Sequence, residues 1–230
     1  MSQSSKKQEE QQPSTELQSY DKAMQDMVAS IHNTISSPER AFLKTRGKTF
    51  TFPDGHSEDE FDGVIVSYVS TNTYYKDRYD PNNIVPPTCF AIGENPATLV
   101  PSENAPERQA SSCAECPLNQ WGSDGKGKAC KNGRLLAILP PDATENTDPV
   151  FLRVPPTSLK NFDGYVSKIA ATLKKPPIGV VTKIKVDKES EYLKLHFEPQ
   201  GVNQNVGVAM ERMAEVKDLL VQEPDLSVAA

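Results

Sequence analysis

At 230 residues the chain is long enough to bury a hydrophobic core, as one large domain or two small ones. Only 37% of it is apolar and 19 residues are proline, a mixture that suggests a compact centre with polar ends. No apolar run approaches the roughly 20 residues that cross a bilayer, and the N-terminal Met-Ser-Gln-Ser-Ser-Lys-Lys stretch has no hydrophobic segment. A membrane protein and a secreted one are therefore not expected; the cytoplasm is.

Residues 1–18, rich in Gln, Ser, Lys and Glu, read as a disordered tail. The spacing of Met24, Met27, Val28 and Ile31 predicts a short amphipathic helix from Tyr20 to about Ile35, ended by Pro38. β-branched and aromatic runs at 48–52, 63–69 and 88–92 predict strands, with Tyr74, Tyr75, Arg78 and Tyr79 between the second and third. Residues 93–112 have no periodicity. Strands follow at 134–139 and 151–154, separated by Pro140-Pro141 and a polar loop. Pro155-Pro156-Thr157-Ser158 then opens a helix to about Leu173, with Ser158 or Thr157 as N-cap and Phe162, Tyr165, Val166, Ile169 and Leu173 on its apolar face. Residues 178–186 and 192–197 read as a hairpin in which lysines alternate with apolar residues. A last helix, 205–221, carries Val206, Met210, Met213, Val216 and Leu220 toward the core or another subunit, and 222–230 form a short acidic tail.

These elements predict a mainly β, β-rich α+β fold: an oligonucleotide-binding (OB)-like Greek-key barrel over 19–204, flanked by helices, with an insertion at about 89–133. A generic α+β sandwich is the alternative. The insertion holds the strongest motif. Cys89, Cys113, Cys116 and Cys130 are the only cysteines, spaced C-x23-C-x2-C-x13-C. A Cys-x2-Cys pair presents two thiolates from one turn, and two more cysteines complete a closed four-cysteine site for one structural zinc ion. Cys89 could instead be a small core residue, in which case His56 or His196 would be the substitute ligand. A closed set leaves no open position for chemistry.

Charge is unevenly placed. Residues 108–136 hold five cations against two anions, and 153–197 hold nine against four, while 198–230 hold six anions against two cations. Local fields are screened over about 8–10 Å, so two basic tracts in an acidic chain are compatible with phosphate binding or with a merely solvated lysine surface. Lys126, Lys128, Lys131 and Arg134 surround Trp121 in the cysteine segment, and Lys183, Lys185 and Lys194 lie on the hairpin. Trp121, Tyr74 and Tyr75 sit in polar surroundings suited to stacking on unpaired bases, or pack on the core with their polar tips exposed.

Enzyme motifs are missing. Gly122 to Lys128 matches G-x-x-x-x-G-K, but Ala129 stands where a magnesium-binding hydroxyl belongs, and a following helix is not predicted. His56-Ser-Glu58 and His196-Phe-Glu198 supply half of a zinc-deaminase signature without the P-C-x-x-C half. The chain is expected not to be an enzyme.

Cys113, Cys116, Pro117, Asn119, Trp121, Gly122, Ser123, Gly127, Lys128, Cys130 and Arg134 together resemble a Cys-x2-Cys-Pro-x-Asn-x-Trp/Phe-Gly-Ser … Gly-Lys-x-Cys pattern of tailed-bacteriophage proteins. Val154-Pro-Pro-Thr-Ser158 and Val180 to Thr182 extend the likeness over about 85–200. More remotely the layout is similar to zinc-containing phage single-stranded DNA-binding proteins, which insert a zinc subdomain into an OB barrel. This chain departs from them in its histidine-free ligand set and short tail. The resemblance implies non-catalytic single-stranded DNA binding in an infected bacterium, with replication or recombination proteins as partners. The competing expectation is a zinc-stabilised adaptor or anti-host protein that binds another protein.

Overall fold

The computed structural model describes residues 20, 22–24, 27, 40–78, 80, 82–224 and 226. The chain divides into two compact units, Met1–Glu39 and Arg40–Ala230. Positions 20, 22–24 and 27 are helical; the remainder of the expected first helix, the tail before it and Tyr79 lie outside the described residues.

The second unit is built on a sheet of β1 (Ala41–Phe42), β4 (Glu60–Tyr74), β5 (Cys89–Gly93), β6 (Lys131–Leu139), β7 (Val150–Val154), β8 (Val180–Val186) and β9 (Leu195–Val202), while β2 (Phe50–Thr51) and β3 (Ser57–Glu58) form a separate ribbon. The order is β1-β7-β6-β4-β8-β9, and all pairings are antiparallel except β1 with β7. β4 is long enough to take partners in succession on one edge, β8 along Glu60–Val64 and β5 along Ser70–Tyr74, while β6 runs along the other.

A bulge in β4 resets its alternation. Register against β6 slips between Ile65 and Ser67, which makes Val66 the extra residue. Phe61 and Ile65 before it share one core with Tyr68 after it, whereas Val64, Val66 and Val69 belong to the other. β6 separates the same two cores residue by residue: Leu136 and Ile138 on one side, Leu135, Ala137 and Leu139 on the other. A strand buried on both faces reads as a continuous apolar run, as Leu135–Leu139 does.

Helix α1 (Leu159–Leu173) covers the first face through Phe162, Tyr165 and Ile169. Phe162 stacks edge-on against Tyr68 and Phe197, at 5.0 and 5.2 Å between ring centres. Ser158, expected as the N-cap, makes no capping bond; its Oγ accepts from the Leu195 amide at 2.8 Å and ties the helix entry to β9. The helix ends at Lys174 in the left-handed region, before Pro176 and Pro177, which cannot continue it. The predicted last helix is two, α2 (Val206–Glu211) and α3 (Met213–Val221). They cover the second face with Ala209, Val216, Leu219 and Leu220, leaving Val206 and Met210 exposed.

The expected OB-like Greek-key barrel is not formed. Among the described residues no strand pair closes the sheet; β1 lies at one edge, β9 and β5 at the other. A barrel is closed around one interior face, and here each face instead carries its own helical layer. The β-rich α/β content stands. Among the described residues no helix is long and apolar enough to cross a membrane.

The hairpin β8–β9 is closed by Asp187. Its carboxylate accepts from the Glu189 and Ser190 amides, both at 3.1 Å, and faces His196 Nε2 at 3.2 Å and Lys194 Nζ at 3.4 Å. The His196 contact first, then the turn amides and Lys194, hold its pKa down at about 2. A carboxylate depressed in the folded state stabilises above its unfolded pKa of about 3.9 and loses that contribution as pH falls toward the folded value. Asp187→Asn is expected to melt below wild type at neutral pH, with the gap closing between about pH 4 and pH 2. Circular-dichroism melts across that range test it; a gap independent of pH would remove the carboxylate charge from the account.

Candidate functional site

The four cysteines come together where β4 ends and β5 and β6 begin. Cys89 opens β5 opposite Tyr74 of β4. From β5 the chain returns along the sheet edge, Ser102 N donating to Phe90 O and Glu107 N to Thr88 O, both at 2.9 Å. It then turns through Cys113 and Cys116, and Cys130 immediately precedes β6. All four are buried free thiols, and all four line one cavity of about 10 Å³ with Asn72, Tyr74, Leu118 and Asn119. Their side chains surround this space without converging: among the described residues no group of three or more His, Cys, Asp or Glu side chains is arranged to hold a metal ion. Neither His56 nor His196 lines the cavity. His56 lies with Asp54 and His196 with Asp187.

The thiols feel one another. Burial, followed by the charges of Cys113, Cys116 and Cys89, pushes the Cys130 pKa up to about 12, with Lys128 pulling the other way. Burial raises Cys113 as well, against a hydrogen bond with Asn72 and with Cys89 and Cys116 adding to the rise. Such thiols keep their protons at neutral pH unless a cation among them offsets the charge.

An amide network joins this cluster to the sheet. Asn132 Nδ2 donates to Asn72 Oδ1 at 2.7 Å and to Asn119 Oδ1 at 2.8 Å, and Asn119 Nδ2 donates to Cys113 O at 2.7 Å. Lys128 Nζ donates to Asn132 Oδ1 at 2.9 Å. Asn72 and Asn132 were not expected as site residues. The polar run Ser70-Thr-Asn-Thr73, at the end of an apolar strand, was the available signal.

The rest of the cysteine segment is held by turns. Pro117 starts a tight helical turn, Pro117–Asn119, that returns the Asn119 amide to Cys116 O. Ser123 Oγ donates to Leu118 O and Gln120 O and accepts from the Ala129 amide. Gly122 and Gly125 have φ of 91° and 61°, a region that disfavours side chains. The Gly-Lys step leads into β6 and no helix, so the segment is not a phosphate-binding loop.

No known protein family, curated protein or solved structure matches this chain.

The expected nucleic-acid residues separate into four groups. Tyr74, Tyr75 and Lys131 line a cleft of about 620 Å³ with Lys76, Arg78 and Asp124. Trp121, 78% exposed, and the exposed Lys126 lie on the cysteine loop; Lys126 has no bonded partner among the described residues. Lys128 belongs to the amide network, and Arg134, with a side chain only 12% exposed, binds Asp163 of α1 at 3.2 Å. Lys183, Lys185 and Lys194 are elsewhere. They pair with Glu60 and Asp62, with Glu198 and with Asp187. Lys183 lies beside Asp62, ten residues along β4 from Asn72 at the cysteine cavity, about 33 Å of extended strand. The basic hairpin and the cysteine loop therefore do not form one surface.

Asn132→Ala would leave Asn72 and Lys128 short of partners, at about 1–3 kcal/mol per unsatisfied group. A melting temperature lower by a few degrees and faster reaction of the cysteines with a thiol reagent are expected, relative to Lys126→Ala. Wild-type melting and labelling would show that the network does not hold the loop.

Proposed function

We propose that this protein binds single-stranded DNA, without catalysis and with little sequence preference, at the cysteine end of its sheet. The observation that carries the reading is the cleft where Tyr74 and Tyr75 meet Lys76, Arg78 and Lys131 beside the cysteine loop. Aromatic faces accept any base, and side chains of this kind contribute about 1–3 kcal/mol per stacked base. Tyr75 is 48% exposed and so has a face to offer. Asp77, Asp80 and Asp124 line the same cleft and balance its cations, so stacking outweighs phosphate neutralisation there. Exposed Trp121 and Lys126 extend the surface along the loop. The resemblance to phage proteins accords with this role in replication or recombination.

One zinc ion on Cys89, Cys113, Cys116 and Cys130 is part of the proposal. The donor types suit it, four free, buried thiols around one cavity with Lys128 nearby to offset thiolate charge, and binding would draw the sulfurs inward from the spread positions they hold here. When bound, zinc supplies a closed structural cross-link between β5, the 113–116 turn and β6, and no open coordination position. The chain's own part is to hold the loop through Asn119, Ser123 and Asn132, which fixes where Trp121 and Lys126 stand on it.

Purified protein is expected to contain one zinc per chain, and chelation to lower both its melting temperature and its affinity for oligo-dT. Metal analysis finding none would remove the zinc. Titration with oligo-dT is expected to quench Trp121, the only tryptophan, more weakly at higher salt; Tyr75→Ala should cost about 5- to 150-fold in affinity. Equal affinity for duplex, or indifference to salt, would sink the reading. No binding at either salt would leave the protein-binding adaptor.

A further inference from the structure

On the sheet face that carries α3, beyond the end of that helix, a second cleft of about 380 Å³ is lined by Thr71 and Thr73 of β4, Arg153 of β7, Arg40 and Tyr75. Tyr75 also lines the first cleft, so the two adjoin at that residue. Both guanidiniums lie over the same Phe42 ring, Arg40 at 5.4 Å and Arg153 at 4.7 Å from its centre. Arg40 is spent on backbone carbonyls, donating to Gln222 O at 2.8 Å and Glu223 O at 3.3 Å. The Glu223 carboxylate turns to Asn104 Nδ2, at 2.7 Å, and to Ser102 Oγ. Among the described residues neither arginine has a carboxylate partner, and Arg153 has no hydrogen-bonding partner; the residue keeps exposed surface, while burial around the guanidinium lowers its pKa against the opposing effect of Tyr75.

Lys183, Lys185, Lys194, Arg134 and Arg212 each face an acid. At the second cleft two like charges share one aromatic ring instead. Burial first, and then the Arg153 charge, disfavour the Arg40 cation. An anion between them would relieve that repulsion, and Arg153 has its donors free to make a bidentate bond to phosphate. The threonine hydroxyls and the Tyr75 ring are neutral neighbours that fit a sugar and a base.

We propose that the Arg40–Arg153 cleft binds backbone phosphate of the same DNA strand whose bases stack at Tyr75, so that the strand passes from one cleft to the other around that ring. The proposal rests on the single-stranded DNA reading above and supplies the phosphate contacts that the charge-balanced first cleft lacks. Arg153, set between buried Leu152 and Val154, carries no signal in the sequence beyond being a lone cation in an apolar strand.

The test is anisotropy of labelled oligo-dT of about 16 nucleotides, titrated at several salt concentrations with wild type, Arg153→Gln and Arg153→Lys. Arg153→Gln is expected to bind about tenfold more weakly, and its log affinity to fall with log salt by about 0.7 less, the share of one phosphate contact to a single strand. Arg153→Lys should keep the salt slope. Unchanged melting of both variants shows that loss of the Phe42 stack does not explain the result. If wild type binds and Arg153→Gln matches it in affinity and slope, this proposal falls and the first cleft stands. If wild type does not bind oligo-dT, both fall. Inorganic phosphate and dTMP are separate arms: binding of either that depends on Arg153, with oligo-dT affinity unaffected by the substitution, would make the cleft a small-anion site and overturn the proposal.

Discussion

The second unit is registered against one strand. β4 pairs with β6 along most of its length and with β8 and β5 in turn on its other edge, so both halves of the sheet take their alignment from it. Its bulge at Val66 matters because a single extra residue exchanges the faces that odd and even positions address. Without that exchange Tyr68 would leave the α1 core and Val69 the α3 core. Continuous burial on both faces follows, and with it the two helical layers that exclude a barrel. The same strand carries the hairpin carboxylates Glu60 and Asp62 at one end and Asn72 and Tyr74 at the other, so it also decides which surfaces are remote from each other.

The two ends of β4 handle charge differently. At the hairpin end lysines meet acids across neighbouring strands, exposed pairs that add little to stability and leave little field for a polyanion. At the cysteine end the conserving device is amide chemistry. Asn72, Asn119 and Asn132 satisfy one another and a backbone carbonyl, and among the described residues no buried side-chain nitrogen or oxygen lacks a partner. The segment between Cys113 and Cys130 has almost no regular structure, so its shape depends on these bonds, on Ser123 and on the glycines at positive φ. A cross-link through the thiols would add to a frame that hydrogen bonds already outline.

Much of this was legible locally. The strands at 134–139, 151–154 and 178–186, the helix from Pro155-Pro156 to Leu173 and the cysteine spacing all announced themselves, because periodicity, proline and turn residues act over a few positions. Ser158 shows where that reach stops: it sits where a cap belongs, yet its hydroxyl serves the Leu195 amide of a strand thirty-seven residues later. Arg134 and Lys128 are similar. Both read as surface cations, and both are held inside, one by Asp163 and one by two asparagines, partners that no local pattern ranks above water. The hairpin lysines read correctly as an outward-facing row, but their acids come from β4, β9 and the turn.

By itself the sequence determined the element types, the gathering of three cysteines in one polar segment and the aromatic and basic character of that segment, since each is a property of neighbouring residues. Tertiary structure alone decided that the sheet stays open, that Cys89 joins the other three, that the basic hairpin stands apart from them, and that Arg40 and Arg153, 113 positions apart in sequence, share one ring. The reason is the same in each case. These outcomes depend on which strand lies beside which and in what register, and that is settled by the burial of two cores at once, a sum over the whole unit that no short stretch contains.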